Sequence, residues 1–250
     1  HLSIRRQRQM CIRDSLIMGT ASRLPLPYDD YKKRQEVFFE DIPEDSLILI
    51  STNPICYRSN DTTFPYRASS YMLYLCGWKD PDAIFMAYHT SGSWVTSIFV
   101  QPRDTKAEIW EGRRVGTEGA SSFWPIDVAY SISDMETIIP EKIDNCKKIY
   151  SIPELNIKLD KIIQSSTLEV IDPKVILDEM RVIKSDNEIK LMQESASLAS
   201  QAHIEGMKQS FSGIGEWKIQ SIIEAYFSSN KSCASYGCLL YTSPSPRDVE

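Results

Sequence analysis

Two short stretches of this chain hold residue types that could recognise a ligand. Tyr57-Arg58-Ser59-Asn60-Asp61 and Phe64-Pro65-Tyr66-Arg67 set two arginines and an aspartate among aromatics in an irregular, proline-containing segment. Irregular segments on a rigid sheet often carry binding residues. An ion-pair cluster that pins the loop, with Arg67 bridging a carboxylate and backbone carbonyls, accounts for the same residue types. The second stretch runs from Glu108 to Gly116, Glu-Ile-Trp-Glu-Gly-Arg-Arg-Val-Gly. There an exposed Trp110 follows a strand and precedes a basic pair flanked by glycines. Self-contained catalytic patterns are missing: there is no Gly-x-Ser-x-Gly elbow, no phosphate-cradling glycine loop and no His-Glu-x-x-His. His89 falls in an expected hairpin loop and reads as solvated. His203 falls on an apolar helical stripe without a Cys or acidic partner at ligand spacing, and reads as a hydrogen-bonded core histidine.

The elements that must position these residues follow from periodicity and punctuation. Tyr28 to Phe39 is a polar run with one apolar face, a first helix that Pro43 stops. Leu47-Ile48-Leu49-Ile50 is continuously apolar and bounded by turn formers, as in a buried strand. Tyr71 to Leu75, Ala83 to Tyr88 and Trp94 to Val100 are rich in aromatic and β-branched residues and read as further strands, the last two joined by Thr90-Ser91-Gly92-Ser93. Short apolar pieces such as Lys148-Ile149-Tyr150 then alternate with weak helical patterns up to Leu168. The expectation is an α/β domain with a mixed β-sheet flanked by helices. Asp172-Pro173 opens a second regime. A short helix over 174–181 is followed by the capping-box signature Ser185-Asp-Asn-Glu188 and an apolar stripe of Ile189, Met192, Ala196, Ala199, His203 and Met207. Gly213 and Gly215 end that helix, and Glu216 opens another carrying Ile219, Ile222, Ile223 and Tyr226.

Composition narrows the class. The 250 residues are 42% hydrophobic and 25% charged, with a formal net charge of −6, so a basic nucleic-acid footprint is absent and a globular chain is indicated. No apolar run approaches the roughly 20 residues of a membrane-spanning helix, and the N-terminus lacks the layout of a secretory signal. Cysteines at 11, 56, 76, 146, 233 and 238 show no Cys-x-x-Cys pairing, consistent with reduced thiols in a cytoplasmic protein. Both ends change character abruptly. Arg5-Arg-Gln-Arg-Gln-Met-Cys-Ile-Arg-Asp14 and Cys238-Leu-Leu-Tyr-Thr-Ser-Pro-Ser-Pro-Arg-Asp248 each back-translate to one frame of transposase adapter DNA. Residues 1–15 and 238–250 are therefore read as non-native and set aside.

The order of motifs is similar to a known family. Arg58-Ser-Asn-Asp61, Phe64-Pro-Tyr-Arg67, Tyr74-Leu-Cys-Gly77-Trp78, Pro81-Asp-Ala83, Pro102-Arg-Asp104 and the 108–116 segment resemble, in series, the N-terminal domain of aminopeptidase P. Asp178-Glu-Met-Arg-Val-Ile-Lys-Ser185, Glu188-Ile and Ala202-His-Ile204 resemble the opening of that family's pita-bread catalytic domain. The resemblance covers residues 28 to 237. It implies residues 16–172 as the N-terminal domain of the aminopeptidase P/creatinase type and 173–237 as the truncated start of the α+β metallopeptidase domain.

The family removes an N-terminal residue that precedes proline, using two manganese ions held by two Asp, one His and two Glu of the catalytic domain. No metal ligand falls within this chain by that resemblance, so the chain itself is expected to bind no metal and to be inactive. What the resemblance does imply is a role toward a neighbouring subunit of a homo-oligomer. Asp61 and Trp110 match positions implicated in closing the neighbour's site, Asp61 near the free amino group of the substrate and Trp110 as an apolar wall. The implied partners are peptides with proline second, with no nucleic acid and no membrane. A non-catalytic relative acting as a binding module, or a prolidase- or creatinase-type hydrolase, remain as alternative readings of the same architecture.

Overall fold

The computed structural model describes residues 24–235; the adapter-like ends lie outside the described residues. The chain divides into two compact units between Ile183 and Lys184. The first contains α1 (Tyr28–Glu40), β1 (Ser46–Ser51), β2 (Tyr57–Ser59), β3 (Thr62–Thr63), α2 (Ser70–Cys76), β4 (Ile84–Thr90) and β5 (Ser93–Val100). It continues with α3 (Glu108–Glu111), α4 (Gly116–Phe123), β6 (Val128–Ser131), a 3-10 turn (Ile132–Asp134), α5 (Met135–Ile143), β7 (Lys148–Ser151), α6 (Ile157–Gln164), β8 (Glu169–Ile171) and α7 (Lys174–Met180).

Six strands form one mixed sheet in the order β6-β5-β4-β1-β7-β8, in which only β4 runs antiparallel to its neighbours. Helices cover both faces, so the central strands are apolar throughout rather than alternating with polar residues. Successive side chains still point to opposite faces. Ile48 and Ile50 join Phe85 and Ile98 in a core with Phe38, Met72, Leu75 and Leu177. Leu47 and Leu49 join Ile84, Met86 and Phe99 in a second core, with Ile139 of α5 and Leu159 of α6. Ser91 and Gly92, at φ 52° and 82°, form the two-residue turn of the β4–β5 hairpin, the conformation that suits the twist of paired strands.

Two expectations are corrected. Tyr71–Leu75 is not a strand but lies in α2. Its aromatic content suggested a sheet, yet Met72, Leu75 and Cys76 share one buried helical face, and left-handed Gly77 (φ 68°) ends the helix by donating to Leu73 O at 3.1 Å. His89 is not solvated in a loop. It is paired with Trp94 inside the hairpin, edge-on to that ring, with Nδ1 3.7 Å from Glu44 Oε2. The first compact unit reaches Ile183. α7 buries Leu177, Tyr74 Oη donates to Met180 O (3.1 Å) and Tyr71 Oη donates to Asp178 Oδ2 (3.3 Å), which fastens α7 to α2.

The second unit consists of α8 (Asp186–Lys208) and α9 (Glu216–Ser229) among its described residues. The capping box at its start is formed: Glu188 N donates to Ser185 Oγ (3.3 Å) and Ser185 N donates to Glu188 Oε2 (2.9 Å). The two helices meet where Gly206 faces Ile219 and Ile223. The expected stripe is not the buried line. Ala202 and Gly206 are buried, whereas Met192, Met207 and His203 are exposed. His203 is hydrogen-bonded, Nδ1 to Ala199 O at 2.7 Å, but it is not a core residue.

Candidate functional site

Asp61 sits at the tip of a small antiparallel ribbon. β2 and β3 pair Tyr57 with Thr63 and Ser59 with Thr62, and Asn60 takes φ 41° at the turn, a conformation that asparagine tolerates. Every residue of the ribbon is exposed. An isolated two-stranded ribbon is marginal in water, so its base needs anchoring. Phe64 N donates to Cys56 O at 2.9 Å. Tyr66 Oη lies 2.7 Å from Thr52 Oγ1 and donates to Asn53 O at 3.1 Å, and Asn53 Nδ2 donates to Arg67 O at 3.1 Å. Burial pushes the Tyr66 phenol above its ordinary value, so it stays protonated and keeps donating.

The expected ion-pair cluster is not what holds this segment. Arg67 donates to Ser70 Oγ (3.1 Å) and Ala68 O (3.5 Å) and thus organises the loop through a hydroxyl and a carbonyl. Among the described residues, neither Arg58 nor Arg67 pairs with Asp61. The carboxylate stands in solvent at the ribbon tip, with its hydrogen-bonding capacity uncommitted.

Trp110 occupies α3, which is only four residues long, and is 78% exposed; Ile109 beside it is 68% exposed. So short a helix does not hold itself. Asp104 starts it: Oδ1 accepts from Lys106 N (2.8 Å) and Ala107 N (3.2 Å), and these amides hold the carboxyl below its usual range. Arg103 then clamps Glu108 with a two-pronged contact, Nε to Oε1 and Nη2 to Oε2, both 3.1 Å. This pairing, through its hydrogen bond first and its charge next, lowers the Glu108 carboxyl. Two glycines let the chain turn away. Gly112 has φ 94° and Gly116 φ 71°, and a Cβ on Gly116 would stand 2.5 Å from Arg103 Cγ. The large aromatic is thus presented outward on a braced platform rather than on a slack loop.

The two candidates sit on separate elements, and no hydrogen bond, ion pair or ring contact joins them among the described residues. Within those residues no three of His, Cys, Asp and Glu gather as a metal site. The described residues therefore do not fit a two-manganese centre. Cys76 is no nucleophile either, since full burial pushes its thiol up to about 12.

One concavity escaped the sequence reading. A cleft of about 820 Å³ opens at the carboxyl ends of β1 and β7, lined in part by Ser51, Thr52, Tyr57, Met135, Glu136 and Leu155. β1 and β7 are adjacent and parallel, and the helices that follow them, α2 and α6, pack on opposite faces. Such a switch point opens a crevice in an α/β sheet. Only the strand order reveals it, because β1 and β7 are far apart in sequence.

The fold and this edge geometry define a domain whose exposed features face outward from a rigid α/β body. Residues 31–150 match the family model described as the aminopeptidase P N-terminal domain. A Xaa-Pro aminopeptidase of Haemophilus influenzae is 33% identical over 222 residues, 88% of this chain and 51% of that protein. Its Escherichia coli counterpart is 26% identical over 83% of this chain and 50% of the relative. The solved E. coli aminopeptidase P with the inhibitor Pro-Leu shares the fold at a TM-score of 0.77, with 24% identity over 82% of this chain and 50% of the other. The first unit is an aminopeptidase P N-terminal domain, and the chain belongs to the Xaa-Pro aminopeptidase family. It spans about half the length of these two Xaa-Pro aminopeptidases. No described helix is long and apolar enough to cross a membrane.

Proposed function

We propose that this chain is the N-terminal part of a dimanganese Xaa-Pro aminopeptidase, a cytoplasmic homo-oligomer that removes the residue preceding proline from peptides. The observation that carries the reading is Trp110, a large aromatic exposed on a platform that two local carboxylates and an arginine brace. The names borne by the relatives support the substrate class, and a zinc-substituted form of the E. coli enzyme among the solved structures supports a metal-dependent reaction in that relative.

The division of labour follows from chemistry. Proline's ring-locked imide nitrogen carries no hydrogen, so the site must be shaped for it. None of the described residues would hold the two metals of this reaction, whose chemistry, when bound, would be to activate water and stabilise charge at the scissile carbonyl. Asp61, uncommitted at the ribbon tip, offers a charge-assisted bond to the free amino group of a peptide bound by a neighbouring subunit. Trp110 offers the apolar wall that excludes water there.

Taken alone, this chain has no peptidase activity. Incubation of the purified chain with manganese and an Xaa-Pro peptide is expected to release no N-terminal residue, while the full-length gene product does so. Release by the isolated chain overturns the assignment of the metal site to the missing part. In the full-length enzyme, Asp61→Asn is expected to raise KM for free-amine peptides by roughly tenfold, the loss of one charge-assisted hydrogen bond, with kcat less affected.

A further inference from the structure

An ordered run of hydrogen bonds joins the ribbon that carries Asp61 to the end of β1. Ser69 N, at the start of α2, donates to Thr52 Oγ1 at 3.3 Å. Thr52 Oγ1 lies 2.7 Å from Tyr66 Oη, and Tyr66 Oη donates to Asn53 O at 3.1 Å. The two ends set the direction of the run. A backbone N–H can only donate and a backbone carbonyl can only accept. The Tyr66 hydroxyl therefore spends its one hydrogen on Asn53, and Thr52 gives its own to Tyr66. Each hydroxyl donates once and accepts once, an arrangement in which neighbouring bonds polarise one another.

We propose that Tyr66 is a positioning residue for Asp61, and that this hydroxyl relay fixes where the carboxylate stands. The proposal rests on the reading of Asp61 as the group that meets the free amine of a peptide. Three observations carry it. Thr52 and Ser69 are 2% and 3% exposed, so one end of the relay is embedded in the body. Asn53 precedes the ribbon and Tyr66 follows it, so the other end grips both legs, which Asn53 Nδ2 also ties together by donating to Arg67 O at 3.1 Å. Beyond these bonds the ribbon is exposed throughout, and no bond among the described residues holds the Asp61 carboxylate itself.

The ribbon thus acts as a lever. Tyr66 lies five positions after Asp61, a reach of up to about 17 Å. A tilt of about 5° at the base moves a tip at that distance by about 1.5 Å, and displacements of about 1 Å already impair a positioned contact. Losing the Tyr66 hydroxyl frees the base while leaving the half-buried ring in place.

The test is a double-mutant cycle in the full-length enzyme with an Xaa-Pro peptide bearing a free amine. Tyr66→Phe is expected to raise KM by about fivefold, the scale of one neutral hydrogen bond, with kcat little changed. In the Asp61→Asn background the same substitution is expected to change KM by no more than about 1.5-fold, because the positioned group has already lost its charge. Thr52→Val breaks the relay from its other side and should reproduce the rise, whereas Thr52→Ser keeps the hydroxyl and should leave KM as in wild type. In the purified chain, Tyr66→Phe should quicken amide hydrogen exchange over residues 57–64 while residues 47–50 stay protected. Equal rises in KM in both backgrounds make Tyr66 a general structural residue and overturn the proposal, as does unchanged exchange over the ribbon. If Asp61→Asn itself leaves KM unchanged, the reading of Asp61 falls and the positioning role falls with it. A raised KM for Asp61→Asn beside a wild-type KM for Tyr66→Phe removes the relay alone.

Discussion

β1 and the β2–β3 ribbon are near neighbours in sequence and opposites in construction. All six residues of β1 are buried, and every residue of the ribbon is exposed. β1 is held by apolar burial on two faces and by hydrogen bonds to strands on both sides. The ribbon, like α3, is held by a handful of local polar contacts at its base. Free energy therefore sits in the sheet, whereas the uncommitted chemistry sits on segments that contribute little to folding. Binding residues gain from that division, because changing them need not unfold the body that carries them.

The largest expected effect tests the division directly. Phe85, fully buried in β4, should cost about 3–5 kcal/mol on Phe85→Ala, from lost transfer energy and the cavity left behind. Trp110→Ala removes an even larger ring, yet should change stability by no more than about 0.5 kcal/mol because the ring is already in water. Urea unfolding of the two variants decides it. Comparable losses would mean that α3 belongs to the core after all.

An intermediate effect is expected at the joint between body and platform. Gly116→Ala forces a left-handed conformation on a residue with a Cβ, at about 1–2 kcal/mol, and presses on Arg103. Because Arg103 is the clamp on Glu108, Trp110 should also lose anisotropy in fluorescence. Lost stability with an unchanged Trp110 signal would show that the platform does not depend on that clamp.

The same contrast explains how much the sequence discloses. Leu47–Ile50 reads as a buried strand because two covered faces leave no polar position in it. The capping box at Ser185 is legible because it is a local device. The α2 segment misleads, since Tyr71 and Tyr74 look strand-like until the spacing of Met72, Leu75 and Cys76 is weighed against them. Asp61 and Trp110 are conspicuous by residue type and by family resemblance. Their supports, Thr52 with Tyr66 and Arg103 with Glu108, depend on close approaches of side chains that no periodicity encodes. His89 shows the limit well, because its neighbours Glu44 and Trp94 come from separate elements.

The smallest expected effect concerns a place where the apolar body relies on charge. Asp127, just ahead of edge strand β6, accepts from Thr96 N and Thr96 Oγ1, each 2.7 Å, and pairs with Lys32 of α1 at 3.1 Å. Burial alone would raise its carboxyl, but the Thr96 amide, the Thr96 hydroxyl and Lys32 outweigh it and leave it below the ordinary 3.8. A carboxylate depressed in the folded state stabilises above its unfolded value, and that contribution is lost as pH falls through the folded one. Stability should therefore decline partly through this group as pH falls below the ordinary carboxylate value of 3.8. Asp127→Asn removes that part of the decline, so its urea midpoint is lower than wild type near neutrality and approaches it in acid. The side chain is 46% exposed, so solvent screening keeps the effect small. Parallel pH profiles for the two proteins would place the hold on β6 in apolar contacts alone, and would make the contrast between sheet and ribbon complete.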